Sequence, residues 1–150
     1  AMMARHVGEI RRVVCASPDY LAKFGEPTVP ADLVYHDIVA FSASLAPQIW
    51  NFGSGTRAER ITIESRFAVN STEVSIDAVI AGQGITRSLS YQVAKPLAEG
   101  TLKRILADFE PPPIPVQLVH AEGRRASASL RAFIDFAAQR LRADPALQPA

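Results

Sequence analysis

Cysteine is almost absent from this chain, long apolar runs are missing, and neither sign of charge dominates. The single cysteine, Cys15, rules out an intramolecular disulfide framework and a cysteine-based zinc site. It sits within Val13-Val14-Cys15-Ala16, where a small buried hydrophobe is the natural reading. No apolar stretch approaches the roughly 18 residues of a membrane span. The start, Ala1-Met2-Met3-Ala4-Arg5-His6, holds no apolar signal-peptide core, and Ala1 before Met2 looks like the remnant of a tag. These absences point to a reducing, cytoplasmic setting and no membrane partner. Sixteen Lys and Arg against fifteen Asp and Glu leave a net charge of +1. That balance lacks the basic excess of a self-sufficient nucleic-acid binder, so any part that touches DNA lies elsewhere.

The chemistry of a catalytic or metal centre is also thin. His6, His36 and His120 are widely separated, with no second ligand at metal-binding spacing; His36 reads as a loop-fixing hydrogen-bond partner. Ser17, His36 and Asp37 could be written as a triad, but no nucleophile elbow supports it. Gly82-Gln83-Gly84 lacks the third glycine and acidic partner of a dinucleotide fingerprint, and helix termination accounts for it. Arg124-Arg125 followed by Arg131 reads as a solvated approach to a helix. The sequence therefore points away from an enzyme and implies no cofactor and no metal.

What is present is an ordinary globular composition, 48% hydrophobic and 21% charged. Arg12–Ala16 reads as a buried strand, followed by a helix capped by Ser17, started by Pro18 and ended by Gly25. Ala31-Asp32-Leu33 adds a helical turn, and Asp37–Phe41 a strand. Ile49–Phe52 and Arg60–Glu64 alternate around Gly53-Ser54-Gly55 as an antiparallel hairpin. Arg66–Val69 is a strand leading into Asn70-Ser71-Thr72-Glu73, where Asn70 and Glu73 resemble a capping box. The helix beyond is apolar on nearly every side, which predicts burial between layers. Gly82-Gln83-Gly84 closes it, and Ile85 starts an extended piece. A short helix over 95–99 ends at Gly100, and Leu102 to Leu106 forms a strand. The proline run 111–115 is a stiff connector into the strand Val116–His120. A last helix, capped by Ser127 or Ser129, puts Leu130, Phe133, Ile134, Ala137 and Leu141 on one face. Strands and helices alternate, so the class is α/β, with a frayed tail after Asp144.

Several of these stretches together resemble the effector-binding domain of LysR-type transcription regulators. They are Arg11–Ala22 with its Ala-Ser-Pro-x-Tyr-Leu helix start, Pro30–Leu33 with His36, Trp50-Asn51-Phe52, Val69-Asn70, and Ala81-Gly82-Gln83-Gly84-Ile85. Leu97–Leu102 and Arg131–Phe136 complete the set, and Ile85–Ala94 is similar to one proteobacterial branch. The match covers roughly residues 4–142, and its order and spacing make it specific. The resemblance implies the two-lobed fold of type 2 periplasmic binding proteins, with one lobe nearly complete and the C-terminal part of the other. Residues 9–92 would supply lobe two, 93–142 the segment returning to lobe one, and 143–150 a tail. The winged helix-turn-helix and the first half of lobe one are not in this chain. Lobe one would then lack the leading strands that neighbour Val116–His120, which implies self-association and weak effector binding by the chain alone. DNA would be reached only through the absent domain. A stand-alone solute-binding protein of the same fold is the alternative.

The family's cleft lies where strand ends and helix N-termini converge. This implies an effector site drawn from Ser17, Phe41, Ser42, Asn70, Ser71, Thr72 and Thr86, suited to a small organic anion because a helix N-terminus offers free N–H groups. Capping alone also explains Ser17, Asn70 and Ser71.

Overall fold

The structure, a computed structural model, describes residues 2–121 and 125–148. In chain order the elements are β1 (Met3–Ile10), β2 (Arg12–Ala16), α1 (Pro18–Phe24), β3 (Val39–Phe41), β4 (Gln48–Phe52), β5 (Glu59–Ile63) and β6 (Phe67–Val69). Then follow α2 (Thr72–Ile80), β7 (Ile85–Leu89), α3 (Ser90–Glu99), β8 (Lys103–Ile105), β9 (Ile114–His120) and α4 (Ala128–Arg142). The chain forms two compact units, one made of Ala1–Ile10 with Pro113–Ala150 and the other of Arg11–Pro112.

The larger unit is organised by β2, which pairs antiparallel with β7 on one edge and β8 on the other. Its unbroken apolar run follows from this position, since a central strand covered on both faces has no wet side. Val14 and Ala16 enter a core with Tyr20, Leu33, Trp50, Phe52, Ile63 and Ile105. Val13 and Cys15 enter a second core with Ile76, Val79, Val93 and Leu102. Cys15 is fully buried, and burial pushes its thiol up to about 12, so it stays an inert hydrophobe at neutral pH. β3 pairs in parallel with β6, and β4 with β5 forms the expected hairpin.

The turn at Gly84 shows why the Gly-x-Gly-Ile stretch takes the form it does. Gly84 has φ +151°, and a Cβ there would collide with the Asp37 carbonyl oxygen. That same oxygen accepts the Ile85 N–H, at 2.9 Å, and Ile38 bridges Ile85 in parallel. Glycine is required because one backbone must lie against another.

Four local expectations need correction. The cap of α2 is Ser71, not Asn70: its hydroxyl accepts the Val74 N–H at 3.3 Å. α2 buries only Ser75, Ile76 and Val79, while Val74 and Ile80 are exposed, so it lies on the surface of the unit. α3 starts at Ser90 instead of Lys95, with the Gln92 side chain accepting the Leu89 N–H. The tail continues into a 3-10 turn, Pro145–Leu147, capped by Asp144. Pro149 and Ala150, and Arg124 of the basic cluster, lie outside the described residues.

The smaller unit pairs β1 with β9 antiparallel, from Met3 opposite His120 to Ile10 opposite Ile114. β1 was not anticipated from the sequence. α4 packs on β1, burying Ile134 and Ala138, and Ser127 caps it. Phe133, expected on the core face, is exposed, as is Phe136. Leu147 sits directly on Gly8, where any Cβ would strike its carbonyl oxygen. The seams at Arg11 and Pro113 differ from the boundary expected at 92/93. Val93, Leu102 and Ile105 are buried in the cores of the larger unit, which holds α3 and β8 there.

Candidate functional site

The site grows from the pairing of β2 with β7. Arg12 stands opposite Leu89 and Val14 opposite Arg87. Opposed residues of an antiparallel pair share a face, and positions two apart on one strand share it too. Arg12 and Arg87 therefore lie diagonally on the same face.

Arg87 is held from several sides. It donates to the Asn51 carbonyl oxygen at 2.8 Å. Its guanidinium lies 5.1 Å from the Trp50 ring centroid and 5.5 Å from that of Phe52, within cation–π range. Burial, with Arg12 adding like charge, lowers its pKa to about 10. It remains a cation at neutral pH, but one whose surroundings do not compensate its charge.

Around this pair opens a cavity of about 500 Å³, within the roughly 300–1,000 Å³ of small-molecule sites. Trp50, Ile49 and Gln48 of β4 form one wall, and Phe41 closes the end of β3. Thr72 at the start of α2, Ser88 and Leu89 of β7, and Gln92 of α3 complete it. Because the Gln92 carbonyl oxygen already accepts the Leu89 N–H, its amide NH₂ is left to donate. Among the described residues no Asp or Glu lines the cavity. The arrangement is a positively charged, donor-rich recess with an aromatic wall.

Of the seven residues expected at the site, the structure brings Phe41 and Thr72 to this cavity. Ser17 is buried, its hydroxyl accepting the Tyr20 N–H at 3.1 Å as an ordinary cap. Ser71 caps α2, Asn70 is an exposed residue before it, and the Ser42 hydroxyl accepts the Ser44 N–H. Thr86 is fully buried on the opposite face of β7, and its hydroxyl has no partner among the described residues. Sequence reasoning missed Arg12, Arg87, Trp50 and Gln92. The one local signal was an arginine within each of two short strands, Arg12 at the start of β2 and Arg87 in the middle of β7.

Elsewhere in the unit, His36 Nδ1 and the Tyr20 hydroxyl hydrogen-bond at 2.8 Å, and the Tyr20 oxygen accepts the Asp37 N–H. His36 thus fastens a loop. Among the described residues no three His, Cys, Asp or Glu side chains gather as a metal site, and no helix is long and apolar enough to cross a membrane.

The fold and sequence find clear relatives. An HTH-type transcriptional regulator of Xanthomonas campestris pv. campestris (strain 8004) is 30% identical over 148 residues, covering 95% of this chain and 43% of the relative. The Escherichia coli (strain K12) HTH-type transcriptional regulator YhjC is 31% identical over 139 residues, covering 91% and 46%. The chain thus spans under half the length of the curated relatives it matches. Among solved structures, the regulatory domain of AphB in Vibrio vulnificus superposes with a TM-score of 0.78 at 26% identity, covering 93% of this chain and 69% of that one. The regulatory domain of CrgA, a LysR-type transcriptional regulator from Neisseria meningitidis, gives 0.74 at 28%, with the same coverage. The family model described as the LysR substrate binding domain matches residues 2–142. On fold, relatives and matched length together, the chain belongs to the LysR substrate-binding domain family.

Proposed function

We propose that this chain is the effector-sensing part of a LysR-type transcription regulator, and that the cavity beside Arg12 and Arg87 takes a small organic anion. The observation that carries the reading is Arg87, a half-buried cation fixed by Asn51, Trp50 and Phe52 in a recess with no acidic residue. On this reading the larger unit is lobe two of the effector domain, and the smaller one is the returning part of lobe one. DNA is contacted by a domain outside this chain. Bound effector shifts the regulator between conformations only by its difference in affinity for them.

A panel of small organic acids tests the anion reading. Trp50 is the sole tryptophan, so its emission reports directly on the cavity. A ligand with millimolar affinity, supplied at about 50 mM, should stabilise the chain by about 2 kcal/mol and change Trp50 emission. Arg87→Ala should abolish both responses. A panel that leaves emission and melting temperature unmoved overturns the reading.

The same proposal includes self-association through the smaller unit. Among the described residues β9 has a strand on one edge only, and Phe133, Phe136 and Val119 are exposed. An open edge beside apolar side chains favours pairing with another surface. Light scattering should show dimers or larger species, and a monomer at high concentration overturns it.

A further inference from the structure

The cavity holds two guanidinium groups where one would suffice for a carboxylate. We propose that it is built for a dianion, a short dicarboxylate whose two ends are held by Arg87 and Arg12. The inference rests on the anion-binding reading above and narrows it to a chemical class.

The two arginines have different surroundings, which suits two separate tasks. Arg87 is fixed before any ligand arrives, with one donor engaged by Asn51 and the plane resting near Trp50 and Phe52. A guanidinium carries five N–H donors in a rigid fork, so Arg87 keeps enough of them to grip a carboxylate bidentately. Arg12 is exposed at the start of β2 and makes no ion pair among the described residues. It lies diagonally across from Arg87, at roughly 7 Å between Cβ atoms for such pairs, within reach of long side chains. Its charge is felt at Arg87, where it adds to the effect of burial.

Like charges set side by side destabilise each other unless something compensates them. Elsewhere in the unit three basic side chains have close acidic partners: Arg66 with Asp37, Lys103 with Glu26 and Arg104 with Glu110. The exposed Arg57 and Arg60, which have none among the described residues, stand in solvent and not in a cavity. At the cavity no carboxylate among the described residues plays that part. A monoanion would leave one positive charge over, whereas a dianion balances both. Gln92 and Ser88 supply further donors, and Ile49 with Trp50 gives the carbon bridge an apolar wall.

Succinate and butyrate, alike in length but differing in one carboxylate, form the test pair, titrated into the full chain with Trp50 emission and NMR shifts as readouts. Affinities in the millimolar range suffice, because the ratio carries the result. Succinate should bind roughly tenfold more tightly than butyrate, the value of one added charge-assisted contact. Arg12→Gln should reduce that ratio to about twofold or less, weakening succinate far more than butyrate, whose single carboxylate stays on Arg87. Arg12→Lys, which keeps the charge and loses the fork, should fall between. Equal affinities that both depend on Arg87, or a ratio that survives Arg12→Gln, overturn the dianion inference and leave the anion reading standing. No binding of either acid overturns both.

Discussion

The two units of this chain solve the problem of burial differently. The larger has a central strand with a core on each face, and its Arg104–Glu110 pair is a two-pronged fork in which the Glu110 side chain is 2% exposed. The hydrogen-bonded carboxylate raises the pKa of Arg104 further. Among its described residues the smaller unit has one two-stranded sheet and one long helix, and its buried hydrophobic side chains are Val7, Ala126, Ile134 and Ala138. Its ion pair, Arg5 with Asp135 at 2.6 Å, is 42% and 68% exposed. A two-stranded sheet is marginal alone in water. On the proposed reading, the ligand site lies on the unit whose central strand carries a core on each face. The unit with exposed phenylalanines is left to find cover elsewhere.

Mutations should separate the two units by size of effect. The largest loss is expected at Gly84: Gly84→Ala drives a Cβ into the Asp37 carbonyl at a glycine-favouring φ and should cost about 3–4 kcal/mol in denaturant unfolding. Arg104→Ala strands the Glu110 carboxylate and should cost about 3 kcal/mol. Arg5→Ala, across an exposed pair, should cost under about 0.5 kcal/mol; equal costs for these two would erase the contrast between the units. Arg87→Met removes an uncompensated half-buried cation, and without ligand should stabilise by about 1 kcal/mol while anion binding is lost. Thr86→Val replaces an unpartnered buried hydroxyl by a methyl of the same shape and should be neutral or stabilise by up to about 1 kcal/mol. The smallest effect concerns pH. The Thr28 and Val29 backbone N–H groups hold Asp32 below its usual pKa of 3.8. Its contribution is present above that value and fades as pH falls through the lowered one, and Asp32→Asn should remove that slope from an acid titration of stability.

What the sequence made legible was local. Ser17, Pro18 and Gly25 mark the bounds of α1 through side-chain and backbone chemistry that acts within a few residues, and the β4–β5 alternation reflects one wet face. β1 escaped notice because it buries only Val7 and Gly8 among its eight residues, leaving little apolar period to detect. The start of α3 was obscured because Pro96 lies inside the helix, where proline ordinarily ends one. Proline there leaves the Gln92 carbonyl without its usual donor four residues on, and the Pro96 carbonyl accepts from the Leu102 N–H beyond the helix end. The cavity was the least legible part. Arg12 and Arg87 are distant in sequence, and only the β2–β7 register sets them on one face. Resemblance led to the end of β3 and the start of α2, where Phe41 and Thr72 indeed line the cavity, but charge pairing across strands leaves no local trace.

The pairing of β1 with β9 also has a consequence for biosynthesis. Met3 meets His120 and Ile10 meets Ile114, so β1 must wait for β9, which is made long after it. At about 5–20 residues per second, translation keeps β1 unpaired for roughly 5–20 s. In that interval the larger unit, whose strands find partners within Arg11–Pro112, has all the sequence it needs to collapse. Closing so long a loop is entropically costly and slows folding relative to local pairing. The nascent chain should therefore acquire protease resistance in two steps, the larger unit first and the strand at Met3–Ile10 only after β9 has left the ribosome.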